Sequence, residues 1–208
     1  MALPPKYAAS HILELGSGDE TVNVDLFVDF NCPFSKIIWD KIENPGTNAL
    51  FERVGEVKGR KLRFVFRNVP QPWHPQSTLL HEASLAVGQL APSKFWEFAK
   101  ILFDHQPEFF DTECADETRG ETYKRLSKLA AEVGVEESKF LELLTVGKSK
   151  DGKPSNTGNA VTNDLKPFVR FHRQNGVHMT PTVAINGIVD PAFESSTPVD
   201  VWIEKLSK

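Results

Sequence analysis

The sequence predicts an α/β protein in which helices flank a central mixed β-sheet and an all-helical insertion interrupts the sheet-forming part. Three observations predict this class: a strand, helix and strand near the start of the chain, a long middle segment with helical spacing, and a hairpin followed by a helix at the end. We expect residues 1–76 and 163–208 to form the sheet domain and residues 77–162 to form the insertion. A chain of 208 residues, 40% of them hydrophobic, can bury such a core.

The first part of the chain has the pattern of a βαβ unit. Residues 21–30 become almost entirely apolar, which is typical of a central strand that is buried on most sides. Residues 11–15 form a weaker apolar run before a glycine-rich turn, and we expect an edge strand there. A helix is expected from Pro33, and residues 61–67 alternate as a second strand. The connection of roughly thirty residues between the two long strands has the length of a crossover.

The middle of the chain has no strand-like alternation. Between residues 77 and 145, apolar side chains recur at intervals of three and four, which predicts several helices. Residues 147–162 are rich in glycine, serine, asparagine and lysine and predict a mobile surface loop. An amphipathic stretch follows at residues 165–172.

The end of the chain predicts a hairpin and a closing helix. Residues 182–189 are apolar on both sides of Asn186-Gly187, a dipeptide that favours a tight hairpin turn. We expect the last helix to begin with Thr197 as its N-cap and Pro198 as its first residue.

Composition excludes several functional classes. The formal net charge is −4, from 24 basic and 28 acidic side chains, so nothing global favours binding to nucleic acid or to an anionic membrane. No segment has the length and apolarity of a membrane span or a secretion signal. The histidines show no metal-ligand spacing, and we expect no metal. With only two cysteines, the chain fits a reducing compartment, and we expect it to be cytoplasmic.

Cys32 is the strongest candidate for chemistry. It follows the central strand and precedes a helix, and the active sites of open α/β sheets lie at this position. With Pro33 as the first helical residue, Cys32 becomes the N-cap, and its sulfur is expected to face the free N–H groups of Phe34 and Ser35. The helix dipole and the nearby Lys36 favour the thiolate further, so we expect a solvent-accessible, reactive thiol.

The segments VDLFVDFNCPFSKIIW and MTPTVAING together resemble the thioredoxin superfamily, and more closely its DsbA-like branch, in which a thioredoxin-like fold contains a helical insertion. The resemblance covers nearly the whole chain. The Cys-Pro-x-Cys motif of that family stands here as Cys32-Pro33-Phe34-Ser35, so the second cysteine is missing. The resemblance also implies that Pro181 is a cis proline facing Cys32, with Thr180 and Thr182 beside it. The backbone of Thr180 is then expected to pair with a peptide or with glutathione.

The resemblance implies a thiol–disulfide oxidoreductase that acts through one cysteine. Because Ser35 cannot expel a mixed disulfide, Cys32 would form one with glutathione or a protein thiol, and an external thiol would resolve it. Ser35 is expected to donate a hydrogen bond to the thiolate. Substrate contacts are expected from Pro33, Phe34, Lys36, Thr180 and Thr182. No tightly bound cofactor is expected, and glutathione is the possible co-substrate.

Two alternatives stay open. The first is a glutathione transferase or isomerase similar to the kappa class, which shares the insertion topology. The second is a redox-inactive module of thioredoxin fold that binds a peptide beside Pro181. Leu26 occupies the place where many relatives keep a buried acid, and Asp25 and Asp29 are expected to point elsewhere, which leaves proton transfer to water. Cys114 is expected in the helical insertion, where a role as a distant resolving thiol stays open.

Overall fold

A computed structural model describes residues 3–147, 149 and 151–208 of the chain. A five-stranded sheet runs through the described part in the order β1-β3-β2-β4-β5. The strands are β1 Ile12–Leu15, β2 Glu20–Val28, β3 Arg60–Asn68, β4 Thr182–Ile185 and β5 Ile188–Val189. The predicted α/β class with a central mixed sheet is confirmed.

The pairing of β2 determines where the candidate site lies. This strand runs parallel to β3 and antiparallel to β4. The carboxyl ends of β2 and β3 therefore lie side by side, with Val28 opposite Asn68. Phe27 pairs with Thr182, the first residue of β4. This register places the residues that follow Val28 next to those that precede Thr182.

Helices cover the sheet and fill the middle of the chain. The helix that follows β2 separates it from β3, and the next four helices lie between β3 and the long helix before β4. Within the described residues, no helix is long and apolar enough to cross a membrane. The helices are α1 Ala8–His11, α2 Pro33–Ile42, α3 Ser77–Leu90, α4 Phe95–Asp104, α5 Arg119–Glu132, α6 Glu137–Leu144, α7 Thr162–Gln174 and α8 Val199–Leu206.

The sheet and the inserted helices share one hydrophobic core. The rings of Trp39 in α2 and Phe103 in α4 stack with centroids 5.0 Å apart. Phe66 of β3 meets Phe95 of α4 edge to face at 5.1 Å. All four side chains are buried in a single cluster that also contains Leu26 of β2. Apolar burial is therefore continuous from the sheet to the inserted helices. The division into two domains at residues 77 and 162 stays a prediction.

The C-terminal part of the chain contains the predicted hairpin, but its last helix begins one residue later than predicted. Asn186 and Gly187 adopt positive φ angles of 51° and 86°, the conformation that a tight hairpin turn requires. The last helix, however, begins at Val199 instead of Pro198. Pro198 has ψ 152° and is itself the N-cap, so the prediction that Thr197 caps this helix is wrong. The extended ψ of Pro198 ends the non-helical segment one residue later than the Thr-Pro pattern indicates.

Glu82 joins three helices inside the protein. This buried residue of α3 accepts hydrogen bonds from Arg119 (2.8 Å), Asn159 (2.9 Å) and Thr162 (2.7 Å), and a further one from Tyr123. The helix α3 is thereby tied to α5 and to the start of α7. Each carboxylate oxygen of this buried residue therefore has hydrogen-bond donors, which offsets the cost of removing it from water.

The loop predicted over residues 147–162 includes residues 148 and 150, which lie outside the described residues. Its described part forms no helix or strand before α7 begins at Thr162. Asn159 near its end is 7% exposed and binds Glu82. This end of the segment is therefore anchored in the core.

Candidate active site at Cys32

The backbone around Cys32 forms the turn and helix start that the sequence predicts. The N–H of Cys32 donates to the carbonyl of Asp29 at 3.1 Å, and its own carbonyl accepts from the N–H of Lys36 at 3.2 Å. Cys32 is the N-cap of α2 and Pro33 is the first helical residue. We call residues 29–32 the active-site turn. Gln106 binds the carbonyls of Phe30 and Cys32, at 2.6 and 3.1 Å, and so fixes the turn against the inserted helices.

The sulfur of Cys32 meets the segment that precedes β4. Its Sγ donates to the carbonyl oxygen of Thr180 at 3.4 Å. The peptide bond between Thr180 and Pro181 is cis, as the resemblance implies. Thr182 follows as the first residue of β4, with its hydroxyl bonded to the carbonyl of Met179 at 2.8 Å. The fold therefore brings Cys32, Thr180, Pro181 and Thr182 together from distant parts of the sequence.

Two expectations about the thiol are wrong. Cys32 is only 5% exposed, so it is buried and not solvent-accessible. Its side chain also makes no hydrogen bond to the first N–H groups of α2. The reason is the same in both cases: the sulfur turns toward the carbonyl of Thr180, which covers it and offers an acceptor in place of the helix amides.

The remaining motif residues take different positions. Phe34 is 60% exposed, and Pro33 is exposed beside it. Lys36, expected to favour the thiolate, instead pairs with Asp40 one turn along α2 at 2.8 Å and with Asp104 at 3.4 Å. The i,i+4 spacing within α2 places an acid within reach of Lys36, and its charge is already compensated there.

Ser35 lies inside the protein. It is fully buried, and its hydroxyl oxygen accepts a hydrogen bond from the N–H of Asp29 at 3.2 Å. The structure shows no hydrogen bond from Ser35 to the Cys32 sulfur, both of them described residues, and the hydroxyl instead supports the active-site turn.

A buried carboxylate, which sequence reasoning placed elsewhere, lies under this turn. Asp29 accepts from the hydroxyl of Ser77 at 2.6 Å and lies 2.7 Å from Nδ1 of His74. The backbone N–H groups of Asn31 and Gln71 also point to its oxygens, at 3.0 and 3.4 Å. Asp29 thus joins the end of β2 to the segment before α3 and to Ser77, the first residue of that helix.

The surroundings of Asp29 favour its ionised form. Burial acts to raise the pKa of this carboxyl, but the hydrogen bond from His74, the nearby ring of His81 and the hydrogen bond from Ser77 outweigh burial and hold the pKa well below its usual range. The carboxylate also lies at the N-terminal end of α3, where the helix dipole favours a negative charge. An ionised Asp29 is therefore a structural anchor of the active-site turn.

Asp29 is missed by sequence reasoning because the strand ends before it. The alternation of a strand predicts the direction of side chains only up to Val28, the last residue of β2. Asp29 belongs to the turn that follows, so its position three residues after Leu26 does not predict where its side chain points. A useful signal is the His-Pro-x-Ser sequence at residues 74–77, which offers a histidine and a hydroxyl just before a predicted helix.

A small cavity of about 140 Å³ opens beside the turn. It is lined by residues on both sides of Cys32, namely Asn31 and Pro33, and by His74, Phe110 and Asp111. Asn31 is 2% exposed, and its Oδ1 has no hydrogen-bond partner among the described residues. The cavity thus lies beside the candidate nucleophile.

Cys114 takes no part in this arrangement. It lies in the turns before α5 and is buried and free, as is Cys32. Burial, as the larger cause, and the neighbouring Glu117, as the smaller one, raise the pKa of the Cys114 thiol to about 11. Such a thiol is almost entirely protonated near neutral pH and is a poor nucleophile.

The sheet order, the cis proline and the helices between β3 and α7 define a thioredoxin-like fold with a DsbA-like helical insertion. No protein-family model matches the chain, and no curated protein matches it either. Among solved structures, it is similar to a candidate protein-disulfide isomerase from Pseudomonas syringae, with 22% identity, a TM-score of 0.68 and coverage of 97% of this chain and 99% of that one.

Two further structures show the same likeness. Oxidised BdbD from Bacillus subtilis is 24% identical, with a TM-score of 0.64 and coverage of 96% of this chain and 93% of its own. The thiol-disulfide exchange protein alpha-DsbA2 from Wolbachia pipientis is 18% identical, with a TM-score of 0.60 and coverage of 93% and 84%. Together these similarities establish the DsbA-like fold.

Replacement of Asp29 by asparagine tests the anchor. Because the folded-state pKa of Asp29 lies below its unfolded value of about 3.9, the carboxylate stabilises the fold above about pH 4, and this contribution is lost as the pH falls toward the folded-state value. We expect Asp29→Asn to lower the free energy of unfolding at pH 7 by about 2 kcal/mol. The asparagine NH₂ group would face the hydrogen-bond donors that now bind the carboxylate, and it cannot accept from them. The variant should also lose stability less steeply between about pH 5 and pH 2.

Urea unfolding at a series of pH values measures both effects. Asp116→Asn, an exposed substitution with the same chemistry, is the matched control and should follow the wild type within about 0.5 kcal/mol. Parallel pH profiles for the wild type and Asp29→Asn would show that Asp29 is not the ionised anchor.

Proposed function

We propose that the chain is a thiol–disulfide oxidoreductase that acts through Cys32 alone. The observation that supports this most directly is the contact between the Cys32 sulfur, at the N-terminus of α2, and the carbonyl that precedes the cis proline. Proteins of similar fold are described as thiol–disulfide exchange proteins, which favours the same class of chemistry.

The proposed reaction has two steps: one thiol–disulfide exchange at Cys32, and then release of Cys32 from the mixed disulfide by a thiol from solution. The Cys32 thiol gives up its proton to solvent, and its thiolate attacks one sulfur of a substrate disulfide. A bond forms from Cys32 to that sulfur, the substrate S–S bond breaks, and the leaving thiolate takes up a proton. Cys32 is oxidised to a mixed disulfide while the leaving half is reduced. An external thiolate, for which we propose glutathione, then attacks the substrate sulfur of the mixed disulfide. A disulfide forms between glutathione and that sulfur, the bond to Cys32 breaks, and Cys32 takes up a proton.

Ser35 confines the chemistry to this route. A hydroxyl cannot displace a thiolate from a disulfide, and the Ser35 oxygen is already bonded to the Asp29 amide. Cys114 is unsuited to the resolving step because burial keeps it protonated. The mixed disulfide must therefore last until a thiol from solution arrives.

Access to the buried sulfur requires movement of the segment before Pro181. His178 and Met179 are exposed, the latter by 71%, so no packed side chains block an outward movement of this segment at these two residues. A substrate backbone that pairs with Thr180 would occupy the carbonyl that Cys32 now contacts. We propose that such pairing uncovers the sulfur and aligns the substrate disulfide in one step. Phe34, Trp73 and Met179 are exposed apolar side chains that would favour a peptide substrate.

The buried sulfur also supports a second candidate function. A redox-inactive module that binds peptides beside Pro181 would keep the fold and the Thr180 backbone without needing an accessible thiol. A transferase or isomerase similar to the kappa class differs in that glutathione would bind without a lasting bond to Cys32. Covalent chemistry at Cys32 separates both from the proposed oxidoreductase.

Single-cysteine variants provide the first test. We expect the wild type to reduce a glutathione mixed disulfide catalytically, Cys32→Ser to lose this activity entirely, and Cys114→Ser to retain it, because Cys114 is protonated and Cys32 supplies the nucleophile. Intact-mass spectrometry should find one glutathione adduct, confined to Cys32. Activity that survives in Cys32→Ser, or absence of activity and adduct in the wild type, contradicts the proposal.

The second test introduces the missing thiol. In a Cys114→Ser background, Ser35→Cys is expected to form a reversible disulfide with Cys32 under mild oxidation, because the helix start already has the geometry of the family motif. Free-thiol counting before and after oxidation measures the bond. The adjacent Phe34→Cys variant is the control and should bridge less readily. A folded Ser35→Cys protein that forms no disulfide would favour the peptide-binding module.

A further inference from the structure

A second cavity, of about 400 Å³, lies beside the candidate site between α3, α7 and the segment before α3. This volume is within the range of small-molecule sites. Its wall includes Gln71, Glu82 and three basic residues of α7, Lys166, Arg170 and Arg173. Neither the exchange reaction nor the packing of the core makes use of these three charges.

The three basic side chains form a row to which no described residue supplies a counter-charge. Their spacing of four and then three residues places them on one face of α7, where like charges repel. All three are exposed, and in the described part of the chain none of them forms an ion pair. Lys166 donates a hydrogen bond to the side-chain oxygen of Asn163, at 2.8 Å. A protein of net charge −4 therefore keeps a local positive patch at the edge of a cavity.

Glu82 does not neutralise this patch. Its Oε1 accepts from Thr162, and its Oε2 is shared by Arg119, Tyr123 and Asn159. The guanidinium of Arg119 already balances its charge. An anion that enters the cavity would thus meet the charges of α7 without displacing an existing ion pair.

Gln71 connects the cavity to the reactive sulfur. Its side-chain N–H₂ group donates to the carbonyl of His178 and to the hydroxyl of Thr180, each at 3.4 Å. The carbonyl of Thr180 in turn accepts from the Cys32 sulfur at 3.4 Å. Consecutive contacts therefore lead from the cavity wall to Cys32.

We infer that this cavity binds the carboxylates of a small acidic thiol or disulfide while its sulfur lies at Cys32. The inference rests on the proposed function and deepens it, because it assigns the substrate class that the site selects. Glutathione has this chemistry, with a thiol and two carboxylates in one short peptide. The segment before Pro181 would then hold the substrate backbone between the two anchoring points.

Two disulfides of different charge test the inference. The probes are glutathione disulfide and uncharged 2-hydroxyethyl disulfide, and the readout is the rate of adduct formation at Cys32 in full-length Cys114→Ser protein. We expect the double variant Arg170→Gln/Arg173→Gln to lower the ratio of the two rates by about fivefold, the effect of losing two exposed ion pairs. Salt at 1 M should lower the wild-type ratio in the same direction, because it screens exposed charges.

The control removes two positive charges elsewhere. Lys58 and Lys128 are exposed and line neither cavity, so Lys58→Gln/Lys128→Gln should keep the wild-type ratio. A ratio that is equal in the two double variants overturns the inference while leaving exchange at Cys32 intact.

Calorimetry with S-methylglutathione separates the cavity from the chemistry. This probe cannot form a disulfide, and we expect Arg170→Gln/Arg173→Gln to bind it about fivefold more weakly than the control variant. If neither disulfide modifies Cys32 but this difference in binding remains, the proposed exchange is wrong and the carboxylate site stands. Equal binding by both variants removes the carboxylate site.

Discussion

The arrangement at Cys32 depends on one buried interaction, the placement of an ionised Asp29 beneath the active-site turn. Removing a carboxylate from water is costly unless its charge is met by hydrogen bonds. Here the donors come from the segment before α3, from Ser77 at its first residue and from the turn itself. The carboxylate therefore fixes the end of β2 relative to α3, and the turn that presents Cys32 has little freedom.

The same constraint explains why a motif with one cysteine retains an ordered helix start. The amide of Asp29 binds the Ser35 hydroxyl, and its carbonyl receives the N–H of Cys32. A serine at position 35 thus supports the turn from inside, although it cannot take part in disulfide exchange. The sulfur is left to contact Thr180, so that the exchange proposed above depends on the movement of one segment and on what binds there.

Much of the fold follows from local patterns in the sequence. Apolar runs predicted β2 and β3, and Asn186-Gly187 predicted the hairpin, because these signals depend on neighbours in the chain. The direction of the Cys32 sulfur did not follow, since the carbonyl that attracts it is 148 positions away in sequence. Asp29 is missed for a similar reason, since its partner His74 belongs to the loop before α3. Lys36 is different, because its shorter ion pair is with Asp40, an acid one turn along the same helix whose spacing the sequence already shows. The basic row of α7 is visible as a spacing, but only the fold shows that it borders a cavity next to Thr180.

The protonation state of Asp29 is the quantity on which this account depends most. Nuclear magnetic resonance of the Asp29 side-chain carbon, recorded during an acid titration of the folded protein, measures it directly. We expect the carboxyl resonance to keep its ionised position down to about pH 3, below the ordinary value of about 3.9, because the donors around it favour the charge. A titration midpoint at or above about 3.9 would contradict the account, since it would show that the surrounding donors do not stabilise the charged form of Asp29 beyond its stability in water.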